Sequence, residues 1–223
     1  MSNRETVVII PAFNEEKTIG SLLDNLKSNS IDIILVNDGS EDRTLDIAKS
    51  KGITIINHNN NEGYESAISS GIQAAINERY KFAVTFDADG QISVSDLMNF
   101  IKTAQKNNFD LIVGIRDKKN RYSENLLAIL SKYRFGILDP LCGMKLYKLD
   151  IAKTYLPFDQ NGLIGMELAF KMIESDINIC QLPITIKERK DKSRFGSNIE
   201  GEIYILKSFI KVISLFGLKN GKT

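Results

Sequence analysis

The feature that most restricts the fold is a rhythm of short apolar runs. Residues 7–10, 33–36, 53–56, 82–86 and 111–113 are each brief, rich in β-branched side chains and free of polar alternation. Runs of that kind form strands buried on both faces of a parallel sheet. Helical patterns lie between them. Ile19, Leu22, Leu23 and Leu26 follow i, i+3, i+4, i+7 spacing, and Leu97, Phe100, Ile101 and Ala104 repeat it. Strand and helix alternating at this interval build right-handed βαβ units. The expectation is an α/β fold: a single Rossmann-like domain with a mostly parallel central sheet flanked by helices. Residues 1–113 form its nucleotide-binding half. After Gly114 the rhythm breaks. A polar loop at 116–125, a helix to about Phe135, strands at 142–147 and 177–186 and a helix over 166–173 make up a second half, 114–198. An apolar C-terminal helix and tail, 199–223, complete the chain.

Composition removes several function classes. Among 223 residues, 29 Lys plus Arg nearly balance 28 Asp plus Glu, so a broad nucleic-acid footprint is not expected. His58 is the single histidine, which excludes a multi-histidine metal site. Cys142 and Cys180 are far apart and form no Cys-x-x-Cys pair, so zinc-ribbon and thioredoxin chemistry are excluded. Both read as core thiols in a reducing cytoplasm. His58 reads as an exposed loop histidine. The first apolar run is too short for a signal-peptide core, and no uncharged apolar stretch reaches transmembrane length.

In an open α/β sheet, ligands bind beyond the carboxyl ends of the strands. Three acidic or small polar turns stand there: Pro11-Ala-Phe-Asn-Glu15-Glu16, Asn37-Asp38-Gly39-Ser40-Glu-Asp42, and Asp87-Ala-Asp89-Gly-Gln91. One such turn alone is ordinarily a helix N-cap. Three on one edge point to a site. Asp87 and Asp89, at i and i+2 past a strand, suit a hard cation such as Mg²⁺ or Mn²⁺ together with substrate phosphates, and Gln91 adds an amide oxygen. No Gly-x-Gly-x-x-Gly follows the first strand, which argues against a dinucleotide dehydrogenase.

These turns, with Asn61-Glu-Gly63-Tyr-Glu-Ser-Ala between the second and third, occur in an order that resembles the family 2 glycosyltransferases, enzymes of GT-A fold that use nucleotide-sugar donors. The resemblance implies that Pro11, Glu15 and Asp38 contact the nucleoside and that Gly63 lies near the base or ribose. Asp87 and Asp89 would bind the metal and the donor diphosphate. Asp-x-Asp-x-Gln is similar to the dolichol- or polyprenyl-phosphate mannose synthase type, in which the Gln joins the metal. Asp139-Pro-Leu-Cys-Gly143-Met-Lys145, Gly165-Met-Glu167 and Arg189 with Ser193-Arg194-Phe-Gly196 resemble that group's acceptor-side segments, the last contacting phosphate. Gly165 stands where the family usually has Asp.

The mechanism expected is inverting transfer from a GDP- or UDP-sugar. A hydroxyl acceptor on a glycan needs a base, for which Asp139 and Glu167 are the candidates. A lipid phosphate acceptor is already anionic and needs cations instead, for which Arg116, Lys145, Arg189 and Arg194 are the candidates. Gly165 favours the second. A sugar nucleotidyltransferase is a further alternative, but it usually carries a Gly-rich basic loop after the first strand. The last helix, from about 203 to 218, has only a narrow polar stripe of Lys207, Ser208, Lys211 and Ser214. It is expected to bury nearly its whole circumference, in the domain or in a homodimer, or to lie peripherally on the cytoplasmic face of a membrane.

Overall fold

The structure is a computed structural model and describes residues 5–118, 121–158, 161–163, 165–187 and 198–218. Seven strands form one sheet. They are β1 (Thr6–Ala12), β2 (Asp32–Asp38), β3 (Thr54–His58), β4 (Phe82–Thr85), β5 (Leu111–Arg116), β6 (Lys145–Lys148) and β7 (Ile179–Ile184), in spatial order β3-β2-β1-β4-β6-β5-β7. All neighbouring pairs are parallel except those of β6, which runs antiparallel to both β4 and β5. The break in rhythm after Gly114 is therefore a reversed strand inserted into an otherwise parallel sheet. It begins at Lys145 rather than at Cys142. The residues before it are held differently, with the Thr85 hydroxyl donating to the Gly143 carbonyl at 2.6 Å.

Side chains alternate between the sheet faces, and each face has its own core. Val8, Ile10, Leu35 and Val84 pack with Leu22, Leu23 and Leu26 of α1 (Ile19–Ser28) and with Leu97 and Phe100 of α4 (Val94–Lys106). Between these helices in the chain come α2 (Thr44–Lys49) and α3 (Tyr64–Asn77). Val7, Ile9, Val36 and Val113 face the other way. They meet Ile68 and Ile72 of α3, Leu127 of α5 (Tyr122–Phe135) and Phe170 of α7 (Glu167–Ile173). The short α6 (Leu149–Ala152) joins the same layer. Helices thus cover both faces, which is why β1, β2 and β4 tolerate continuous apolar runs. β3 departs from that expectation. It pairs only with β2 at the sheet edge, and most of its residues keep some exposure.

The last helix, α8 (Asn198–Phe216), belongs to the second core through one face only. Ile205 and Val212 are buried there, and the Phe216 ring meets the stacked pair Phe135–Phe170 edge-on, at 5.3 and 5.8 Å. Glu202 accepts hydrogen bonds from the Tyr122 and Ser123 amides, capping the start of α5. Arg134 donates to the Phe216 carbonyl at the other end, where a cation suits the helix C-terminus. Ser208 is not part of a polar stripe but buried, donating to the Tyr204 carbonyl. The opposite face stays uncovered: Ile199, Ile203, Leu206 and Ile210 are exposed. Burial of nearly the whole circumference is thus not what the single chain achieves.

Candidate active site

The strand order reverses direction at β1. The chain passes β1, β2, β3 outward on one side and then crosses to β4 on the other. A crevice opens at such a point beyond the strand ends. The acidic turns after β1, β2 and β4 converge on it.

The first two turns are laced together. The Asn14 amide donates to Ser40 Oγ, the Glu15 amide to Thr44 Oγ1 and the Glu16 amide to Asp42 Oδ2, while the Glu41 amide donates to Asn14 Oδ1. Pro11 is buried at the end of β1, and Glu15 is half-buried, accepting from Thr18 Oγ1. Burial works against ionisation of Asp42, but hydrogen bonds from Thr44 and from the Glu16 amide outweigh it and hold the carboxyl below its ordinary range. Asp38 is buried and accepts from the Glu62 amide on Oδ1 and the Gly63 amide on Oδ2, each at 2.9 Å. Gly63 can present that amide because it sits at φ 96°, a conformation that L side chains rarely adopt.

His58 is the residue the sequence misplaced. It is buried rather than exposed, with Nδ1 2.8 Å from Asp38 Oδ1 and Nε2 2.9 Å from Ser70 Oγ. The signal that would have found it is the β2–β3 register, in which His58 stands directly opposite Asp38.

Asp87, Asp89 and Gln91 are all partly exposed in the turn after β4. Asp89 Oδ1 accepts from the Gln91 amide at 3.0 Å. Gln91 Nε2 donates to the Lys187 carbonyl, which turns its Oε1 into the remaining acceptor end. Asp87 Oδ1 accepts from the Tyr64 hydroxyl at 3.3 Å. A Cβ at Gly143 would lie 2.1 Å from Asp87 Oδ2, so only glycine lets the acceptor-side backbone close over this carboxylate. Among the described residues no three His, Cys, Asp or Glu side chains cluster to hold a metal. Two carboxylates and an amide oxygen still suit a small hard cation whose remaining ligands come from substrate phosphates.

The acceptor half looks different. Asp139 is 1% exposed and accepts from Arg116 Nε at 2.8 Å, Arg116 Nη2 at 2.9 Å and the Arg116 amide at 3.0 Å. Arg116 also donates to Glu124 on α5. Burial pulls the Arg116 pKa down, but the bond and charge of Asp139, with the charge of Glu124, leave it above its ordinary value. Glu167 is 0% exposed, accepts from the Asn161 amide and Nδ2, and pairs with Lys171 at 2.6 Å. Lys145 is buried and donates to the Cys142 carbonyl at 2.6 Å. Cys142 is the core thiol expected, pushed up to about 12 chiefly by burial. Cys180 is half-buried. Asp139, Glu167, Arg116 and Lys145 are thus committed to partners within the fold. Arg189 and Arg194 lie outside the described residues.

Tyr64 and Gly165 explain one another. A Cβ at Gly165 would lie 3.1 Å from the Tyr64 ring, and Gly165 takes φ 68°. The Tyr64 ring crowds the place from which a side chain at 165 would leave the backbone.

A carboxylate-lined strand reversal beside an inserted antiparallel strand gives the chain the GT-A fold that the sequence resemblance implied. The chain belongs to glycosyl transferase family 2, whose sequence model matches residues 7–139. It is 26% identical to a dolichyl-phosphate hexose transferase of Haloferax volcanii over 93% of both chains. It is 32% identical to a UDP-N-acetylglucosamine–dolichyl-phosphate N-acetylglucosaminyltransferase of Methanococcus voltae, over 56% of this chain and 57% of that one. The match spans little more than half the length of several curated relatives. Among solved structures, glucosyl-3-phosphoglycerate synthase from Mycobacterium tuberculosis, in complex with Mn²⁺, UDP and glucosyl-3-phosphoglycerate, shares the fold. Its TM-score is 0.74 at 17% identity, over 97% of this chain and 81% of that one.

Proposed function

We propose that the protein transfers a sugar, with inversion, from a nucleotide diphosphate sugar to a polyprenyl phosphate at the cytoplasmic face of a membrane. The observation that carries the reading is the contrast within the crevice. The donor side presents Asp87, Asp89 and Gln91 partly exposed, whereas Asp139 and Glu167 on the acceptor side are buried and bonded. A hydroxyl acceptor would need one of those carboxylates as a base, whereas a phosphate oxygen is a nucleophile without one. The names of the relatives above agree with a lipid-phosphate acceptor.

Asp38 and the Gly63 backbone receive the nucleoside, with Pro11 and Glu15 walling the same end. Asp87, Asp89 and Gln91 hold a Mg²⁺ or Mn²⁺, which when bound neutralises charge developing on the diphosphate leaving group. Tyr64 and Gly143 keep Asp87 in place. Asp139 and Glu167 act as positioning residues. Asp139 fixes Arg116, and Glu167 fixes the segment at Asn161. Arg189 and Arg194 are assigned to phosphate by sequence resemblance.

No described helix is long and apolar enough to cross a membrane. Contact is instead assigned to the paired α5 and α8. Tyr122, Leu126, Ile129 and Tyr133 form an exposed stripe on α5 at the same spacing as Ile199, Ile203, Leu206 and Ile210 on α8. Exposed Lys132 and Lys207 flank them. Apolar stripes edged by lysines suit an interface with anionic headgroups.

The test incubates the full chain and Mn²⁺ with UDP- and GDP-sugars and either a polyprenyl phosphate or a phosphoglycerate. A lipid-extractable sugar phosphate is the expected product. Turnover confined to the hydroxyl acceptor would overturn the acceptor assignment, and release of pyrophosphate when a nucleoside triphosphate and a sugar 1-phosphate are supplied instead would make the protein a nucleotidyltransferase.

A further inference from the structure

We propose that His58 is a positioning residue that locks the Asp38 carboxylate so that it selects a uracil-type base, with one ring N–H, over guanine. The inference rests on the reading of Asp38 as the group that faces the nucleobase. It begins from an inventory of acceptor positions.

A carboxylate offers about four lone-pair positions, two on each oxygen. Among the described residues, Asp38 Oδ1 accepts from His58 at 2.8 Å and from the Glu62 amide at 2.9 Å, which fills that oxygen. Oδ2 accepts from the Gly63 amide at 2.9 Å and keeps one position. Because a carboxylate only accepts, the proton of this contact sits on His58 Nδ1. Nε2 then faces the Ser70 hydroxyl on α3 at 2.9 Å, so the imidazole is held at both ends. The β2–β3 pairing sets Asp38 opposite His58, and both side chains are more than nine-tenths buried. The other acid near the ring is Glu62, whose Oε2 lies 3.7 Å from Nδ1 and is largely exposed.

The chemistry of the bases then decides. Uracil shows one ring N–H between two carbonyls and asks for one acceptor. Guanine shows a ring N–H and an exocyclic amino group side by side, and asks for both oxygens of a carboxylate. With Oδ1 filled, the second guanine donor meets no partner and is buried unpaired. Removing the imidazole would reopen Oδ1 and let the carboxylate turn to receive both donors. His58 therefore acts through Asp38 on which base is accepted. No contact between His58 and the base is required.

The experiment measures Kd for UDP and GDP by calorimetry with Mn²⁺ on the full chain, and steady-state constants with the preferred donor. The wild type is expected to bind UDP at least about tenfold more tightly than GDP, the order set by one buried donor left unpaired. His58→Leu should bring the two affinities to within about threefold, since the penalty on guanine is removed. It should raise donor KM more than it lowers kcat. His58→Asn, which places an amide nitrogen near the position of Nδ1, should restore most of the preference. If His58→Leu does not fold, Ser70→Ala frees the ring from its far side and should reduce the UDP preference. A wild type that binds GDP as well as UDP would overturn the inference. So would an unaltered preference in whichever of His58→Leu and Ser70→Ala folds. Asp38→Ala separates the two levels of the argument. If it leaves UDP affinity intact, the donor-site reading itself fails. If it abolishes UDP binding while His58→Leu keeps the wild-type ratio, only the role of His58 is lost.

Discussion

The carboxylates of the donor rim and of the acceptor side are held by different chemistry. On the donor rim, Asp42 accepts from the Thr44 and Glu16 amides, and Asp38 from the Glu62 and Gly63 amides and from His58. On the acceptor side, Asp139 and Glu124 meet the cation of Arg116, and Glu167 that of Lys171. An amide fixes a carboxylate in place and leaves its full negative charge for a ligand. A lysine or arginine neutralises it. The donor rim thus remains an anionic cradle suited to a cation and to base N–H groups. The acceptor side is a braced wall.

The largest effect should come from breaking the cradle. Asp89→Asn keeps the shape of the turn but removes a charge facing the crevice. Turnover should fall by at least about a thousandfold, the upper end for loss of one preorganised electrostatic group. The melting temperature should stay near that of the wild type. Retained turnover would show that charge at this turn is not used.

The converse holds on the braced wall. Asp139→Ala leaves the largely buried Arg116 with Glu124 as its remaining carboxylate, and losing one partner of such a pair should cost about 3 kcal/mol of stability. Thermal unfolding reads that loss directly. A variant of wild-type stability that had lost only kcat would make Asp139 a base after all, and the contrast between the halves would fail.

The same contrast explains what could be read without coordinates. Asp87, Asp89 and Gln91 share one turn, and Asp38 ends a strand visible as an apolar run, so local spacing is enough to place them on the rim of the sheet. The acceptor-side pairings join residues far apart in the chain. Arg116 meets Asp139 across 23 positions, and Tyr122 meets Glu202 across 80. No local pattern encodes such pairs, so Asp139 and Arg116 read as separate active groups rather than as each other's partner. His58 was misjudged for a related reason, since its burial depends on β3 lying in register beside β2. The α8 helix showed its apolarity in the sequence. Which face meets α5 depends on Phe135, Phe170 and Phe216 converging from three helices.

Tyr64 sharpens the comparison because it touches both halves, donating to Asp87 and lying against Gly165. Tyr64→Phe keeps the ring over Gly165 and removes only the hydroxyl. The bond is long, and losing it should cost about 1 kcal/mol, or roughly fivefold in kcat/KM. Stability should hardly move. A much larger loss would mean that the hydroxyl contacts substrate itself.

The smallest effect tests whether amide-held carboxylates report on pH as their bonding requires. Asp42 is held below its ordinary value of 3.8 in the folded protein. A depressed folded pKa means that the unfolded chain binds the proton more readily. The stabilisation is therefore fully present above the ordinary value and is lost as pH falls through the lower, folded one. Other acids titrate in the same range, so total stability cannot isolate it. The difference in melting temperature between wild type and Asp42→Asn can. Asp42 is only partly buried, at the surface, so the difference should be only about one degree near neutrality. It should persist to about pH 4 and shrink below that as the wild-type carboxyl takes up its proton. A difference that grew on acidification would mean that the Thr44 and Glu16 bonds favour the protonated acid, and that this rim is not held as an anion.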